Sequence, residues 1–89
     1  MAVVYFLSFF ATMTGEKSVR IEADTLGDLC RQLIERYGSK MSILLDTDGS
    51  LSRRIAVLVD KRNATSLSGA ATRLEGDSEV QIMPLLTGG

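Results

Sequence analysis

Only one stretch of this 89-residue chain repeats its apolar residues with a clear helical period, and that limits the folds open to it. In "DTLGDLCRQLIERYGS", Leu26, Leu29, Cys30, Leu33, Ile34 and Tyr37 share one face at the i, i+3, i+4, i+7 spacing. Thr25 supplies an N-cap. Asp28, three residues on, gives a capping-box-like start with a carboxylate at the positive helix end. Gly38 is the natural residue to close the helix in a left-handed turn. Gly27, inside the first turn, weakens it a little. A single amphipathic helix has a single apolar stripe to bury, so it needs one sheet face to cover.

The remaining segments read as that sheet. Residues 3–10, "VVYFLSFF", are a continuous apolar run of β-branched and aromatic residues, which predicts a strand covered on both sides. "TMTGE" at 12–16 reads as a turn. "KSVRIEA" then alternates, with Val19 and Ile21 on one face and Ser18, Arg20 and Glu22 on the other, making an antiparallel hairpin with a loop longer than two residues. Residues 39–54 are a long connection with a turn at "DTDG", 46–49. "IAVLVD" at 55–60 is a strand with Val57 and Val59 inward, and "KRN" is a turn. Leu67 and Leu74 are core plugs in an irregular stretch. "EVQIMP" at 79–84 is the last strand, with Val80 and Ile82 inward and Gln81 and Met83 outward. Regular pairing should stop at Pro84, which has no N–H to donate. The layout is α+β, one helix on one sheet.

Composition excludes several function classes. Ten basic and eleven acidic residues nearly cancel, so net charge suggests neither nucleic acid nor an anionic membrane as partner. There is no histidine, which removes the usual general base and the commonest metal ligand and argues against an enzyme. One cysteine excludes an internal disulfide and a multi-cysteine zinc site. Cys30 falls in the apolar stripe, the place of a buried hydrophobe rather than a reactive thiol. The N-terminal apolar run has no basic residue before Lys17 and is too short to span a bilayer, so the expected location is the cytoplasm.

Motif-like fragments mostly fail on inspection. "DTDGSLSR" starts like a calcium loop, but Leu51 stands where the glycine belongs and no glutamate closes it. "NAT" at 63–65 matches a glycosylation sequon by pattern only. Arg53, Arg54, Lys61, Arg62 and Arg73 bias the second half towards positive charge, as a solvated face or as a docking patch for an acidic partner. Two features at the end of the chain stand out more. Met83, Leu85 and Leu86 are apolar at or past the last strand, where little core is left to fill. The chain then finishes Thr87-Gly88-Gly89, and a terminal glycine pair arises by chance about once in 200 chains.

The segment "VLVDKRNATSLSGAATRLEGDSEVQIMPLLTGG", Val57 to Gly89, resembles the C-terminal third of ubiquitin-like sulfur carrier proteins. That group holds the small subunit of molybdopterin synthase, the thiamin-pathway sulfur carrier and archaeal ubiquitin-like modifiers. The specific part is a V-x-I-x-P strand followed at fixed distance by terminal Gly-Gly, and the front half agrees in outline. Gly76-Asp77-Ser78-Glu79 departs from the family's acidic turn, and Asp60-Lys61 from its Asn-Gly turn. The resemblance implies a β-grasp fold, in which the last strand runs parallel beside the first at the sheet centre. It implies a domain over 1–84 and a flexible tail over 85–89.

The resemblance also implies a carrier rather than an enzyme. A partner of the ubiquitin-activating type would use ATP and Mg²⁺ to adenylate the Gly89 carboxylate. A persulfide on that partner or on a sulfurtransferase would displace AMP and leave a thiocarboxylate, and no cofactor would stay bound to the carrier. Gly88 and Thr87 would form the working tail, with Met83, Leu85 and Leu86 as the docking surface and Phe9 as a further candidate. The leading expectation is the small subunit of a molybdopterin synthase, paired with its large subunit. The alternatives are a modifier conjugated to lysines through Gly89, or a sulfur carrier for cysteine, thiamin or thiolated tRNA. "LSGAATRLEGDSEVQIMP" is also close to the pattern of cysteine-pathway carriers and archaeal modifiers.

Overall fold

The computed structural model describes residues 1–85. The helix forms as its sequence predicts. Thr25 is its N-cap, with Oγ1 accepting the Asp28 N–H at 3.2 Å, and the helix runs Leu26–Tyr37. Gly38 closes it at φ 87°, its N–H donating to the Ile34 carbonyl at 2.8 Å. Leu26, Leu29, Cys30 and Leu33 are fully buried against a five-stranded sheet.

In chain order the elements are β1 (Ala2–Phe6), α1 (Phe9–Thr14), β2 (Ser18–Ile21), α2 (Leu26–Tyr37), β3 (Ile55–Val59), β4 (Arg62–Asn63) and β5 (Glu79–Pro84). Three 3₁₀ segments, Ser39–Leu44, Ala64–Ser66 and Gly69–Ala71, fill the connections. The sheet order is β2-β1-β5-β3-β4. β1 pairs antiparallel with β2 and parallel with β5, with Val4 beside Val80 and Phe6 beside Ile82. The last strand therefore lies parallel to the first at the sheet centre, the β-grasp layout that the resemblance implies. Inward residues of the three middle strands, Val4, Phe6, Val57, Val59, Val80 and Ile82, make the layer that α2 covers.

Several expectations need correction. Residues 3–10 are not one strand: β1 ends at Phe6, Ser8 takes a left-handed φ of 58°, and the chain turns into α1. Residues 12–14 belong to that helix, and the turn is left to residues 15–17, opening on Gly15 at φ 74°. Phe10 explains the break, because the helical turn drops it fully into the core. Nor is β1 covered on both sides, for Tyr5 and Leu7 on its outer face are exposed. The "KRN" turn is tighter than expected. Asp60 and Lys61, at φ 51° and 70°, are its two residues, while Arg62 and Asn63 pair back onto β3. Regular pairing stops at Pro84 as expected, and a single further bond follows it, from the Leu85 N–H to the Arg54 carbonyl at 3.2 Å. The connection 39–54 hides two core residues, Met41 and Leu44, carried inward by its 3₁₀ turn. Leu67 and Leu74 pack against the core from its rim, as expected of plugs.

Candidate functional site

The parallel pairing of β1 and β5 brings the C-terminal ends of both strands to the same end of the sheet. Leu7 N–H donates to the Ile82 carbonyl at 3.0 Å, which carries the ladder one residue past β1 and sets Leu7 in line with Met83. Across β5, Met83 faces Ala56 of β3. Side chains alternate along strands, so Leu7, Met83 and Ala56 form a row on the sheet face away from α2. Leu85, one residue past the end of β5 where the described chain ends, is 47% exposed. A second row, Tyr5, Gln81 and Leu58, lies beside it by register.

α1 adds one more apolar residue at this end. It begins just after Leu7 and packs on β5. Phe10 points inward, whereas Phe9 is 44% exposed with its ring stacked on that of Phe10 at 4.3 Å. Ser8 pins this arrangement in a backbone conformation that side-chain-bearing residues rarely hold, at a cost of about 1–3 kcal/mol.

Three of the four surface residues expected from the sequence, Phe9, Met83 and Leu85, thus lie at the sheet end where the tail leaves. Leu86, Thr87, Gly88 and Gly89 lie outside the described residues. Sequence reasoning missed Leu7 and Tyr5. The signal was available: one helix covers one sheet face, so half of an all-apolar strand has to look elsewhere for cover.

The other candidates sort themselves by position. Cys30 is fully buried, and the loss of solvent pushes its thiol up to about 12 against a weaker downward pull from Arg31. It has neither the exposure nor the thiolate fraction of a nucleophile. Asp48 is a turn residue that accepts the N–H and Oγ–H of Ser50, bonds that lower its carboxyl. Asn63 caps the Ala64–Ser66 segment by accepting the Thr65 N–H at 3.0 Å. The basic residues do not make one patch. Arg53 and Arg54 flank the start of β3 beside Leu85, Lys61 and Arg62 sit at its far end, and Arg73 bridges to Thr25 at the start of α2. Among the described residues, no cluster of His, Cys, Asp and Glu could hold a metal ion, and no helix is long and apolar enough to cross a membrane.

The ThiS family profile matches residues 4–89. The sulfur carrier protein CysO of Mycobacterium tuberculosis is 31% identical over 77 residues, covering 84% of this chain and 83% of its own. Among solved structures, the Amycolatopsis orientalis BexX/CysO complex contains a chain that superposes with TM-score 0.86 at 23% identity, each chain covered in full. Small archaeal modifier protein 1 of Methanosarcina acetivorans superposes with the same TM-score, 0.86, at 20% identity, over 99% of this chain and 95% of its own.

Proposed function

Because the chain belongs to the ThiS family of ubiquitin-like sulfur carriers, we propose that Gly89 is its working residue and that sulfur travels as a Gly89 thiocarboxylate. The observation that supports this most is the reach of the family match, which runs through the β-grasp domain and on to the Gly-Gly pair.

The chemistry belongs to the partners. An adenylating enzyme places the Gly89 carboxylate against ATP and Mg²⁺, and a carboxylate oxygen attacks the α-phosphorus. Pyrophosphate leaves and an acyl-adenylate forms. A persulfide sulfur, on that enzyme or on a sulfurtransferase, attacks the acyl carbon and AMP leaves. A second thiol then cleaves the S–S bond, becoming a disulfide and releasing the thiocarboxylate. Once the sulfur is bonded to its acceptor, water hydrolyses the acyl–sulfur bond and Gly89 returns as a carboxylate. The chain contributes a terminal acyl group without Cβ on either final residue, and glycines let the backbone approach a nucleotide closely.

Docking each time orders the tail, an entropic cost that the folded face has to offset. The apolar Leu7 and Met83, with Phe9 and Leu85 at the same end of the sheet, are the surface we assign to that task. As for the acceptor, the relatives named CysO and the Leu67–Pro84 pattern favour a cysteine-forming partner over the large subunit of a molybdopterin synthase. Transfer to thiamin or tRNA, or conjugation to lysines, remains the second reading, supported by the likeness in fold to an archaeal modifier.

The deciding experiment is intact mass of the protein purified from its own host, with and without a thiocarboxylate-selective alkylating probe. The expected result is one oxygen replaced by sulfur, lost when Gly89 is deleted. A plain carboxylate that also resists charging by ATP, Mg²⁺, sulfide and the host's adenylating enzyme overturns the carrier reading. Gly88→Ala should slow adenylation at least about tenfold, a barrier change of about 1.4 kcal/mol, while leaving the unfolding midpoint unchanged. Normal adenylation of that variant counts against the close-approach argument.

A further inference from the structure

β4 is only two residues long and pairs with Leu58 and Val59 alone, so the first half of β3 has no strand beside it on that side. A cleft of about 230 Å³ lies there, between β3 and the 3₁₀ turn Ala64–Ser66. Its walls are mainly apolar, with Leu51, Ile55, Ala64 and Leu85 among them, and Thr65 at its rim is exposed. An apolar cavity of about 150 Å³ takes a benzene, so this space accepts a branched aliphatic side chain.

The charge at this cleft has one sign. Arg53 is exposed and is the sole charged residue among those lining it. No carboxylate lies within ion-pair distance of Arg53 among the described residues, where the one ion pair is Arg36 with Glu16. Arg54 differs, for it borders a separate depression shared with Asp46 and Asp48. The cleft also adjoins the root of the tail. Leu85 is at once a wall residue and the last described partner of β3, bonded to the Arg54 carbonyl.

We propose that this cleft is a second docking point for the adenylating partner, taking an aliphatic side chain of that protein with a carboxylate placed beside it for Arg53. Its basis is the charge of Arg53, without a carboxylate partner among the described residues, beside an apolar cleft continuous with the tail root through Leu85, and it rests on the sulfur-carrier reading. An apolar plug on one side of Leu85 and the Leu7–Met83 row on the other would hold the tail root from two directions. The tail would then enter the partner's channel at a fixed angle.

The test is pyrophosphate release by the host's adenylating enzyme as a function of carrier concentration. Wild type is compared with Arg53→Glu, Arg53→Lys and Thr65→Trp, each first shown by circular dichroism and thermal melting to be folded. Arg53→Glu should raise KM at least about tenfold with kcat within about twofold of wild type, a loss of binding rather than of chemistry. Thr65→Trp, which fills the cleft, should raise KM similarly. Arg53→Lys should stay within about threefold, and wild-type KM should climb with salt more steeply than that of Arg53→Glu. An unchanged KM in either Arg53→Glu or Thr65→Trp overturns the docking proposal while the carrier reading stands. A wild type that is not charged at all overturns both. Amide resonances of Ala56, Ala64 and Thr65 that move on deleting residues 86–89 from the free protein identify the chain's own tail as occupant. Resonances that move with protein concentration identify a second copy. Either result also overturns the proposal.

Discussion

Gly27 sits in the first turn of α2, where almost any other residue would serve the helix better. Its reason is across the interface. A Cβ there would lie 3.1 Å from the Ala70 carbonyl oxygen and 3.2 Å from the Ala70 Cβ, so the helix start and the Gly69–Ala71 segment touch backbone to backbone. Gly27→Ala should gain about 1 kcal/mol of helix propensity and lose more than that to the clash, a net loss of about 1–2 kcal/mol in urea unfolding. A stabilised variant would mean that the 3₁₀ segment yields freely. Cys30 makes a different prediction. Burial holds its proton up to about 12, whereas the unfolded chain releases it near the ordinary thiol value of 9.0. The folded state binds the proton more tightly, so its contribution is complete below pH 9 and is lost as pH rises from 9 towards 12. Folded protein should accordingly resist a thiol reagent at pH 8 and react at once in denaturant. Prompt labelling of the native state would contradict the buried position.

At the scale of elements, the legible parts were those with a period or a cap. The stripe of α2 and its Thr25 cap, the alternation of β2, and the inward Val57, Val59, Val80 and Ile82 were all readable because each pattern has one structural meaning. The run "VVYFLSFF" has no period. An all-apolar segment fits a strand and a buried helical turn equally well, and tertiary packing made the choice by placing Phe10 in the core. Arg62 and Asn63 were missed because a two-residue strand is defined by its partner rather than by its own sequence. The site was half legible. Met83, Leu85 and Phe9 were expected on the surface, but the row through Leu7 depends on register, which no local pattern states. Ser8, at the junction of β1 and α1, tests this account. Its φ of 58° with ψ of −135° suits glycine, and its side chain makes no capping bond. Ser8→Gly should relieve about 1–3 kcal/mol of strain against an entropy cost of about 0.5–1, a net gain of roughly 1 kcal/mol in denaturant unfolding. A loss of stability would show that the Ser8 side chain supports the junction in a way its geometry does not reveal.

For the whole molecule, the decisive feature is that the first and last strands pair at the sheet centre, so the segment that leads into the tail is also a core element. Val80 and Ile82 are fully buried between β1 and β3, while Met83 on the same strand looks outward and Leu85, one residue past it, is exposed. A carrier built this way can present its tail from the most rigid part of the fold, because the strand that emits it is held on both sides. Stability and charging should then separate sharply along a few residues of β5. Ile82→Ala should cost about 2–5 kcal/mol and diminish charging only in proportion to the protein unfolded. Removing residues 86–89 should leave the melting temperature within about 2 °C of wild type, since the last described ladder bond is that of Leu85, and should abolish charging completely. The informative comparison is the two variants at a temperature where Ile82→Ala is still mostly folded. If Ile82→Ala is then charged normally and the truncated chain not at all, the fold acts as a rigid mount and the chemistry belongs to the tail. If the truncation instead lowers the melting temperature by many degrees, the tail is part of the folded unit, and docking has to detach it before any partner can use it.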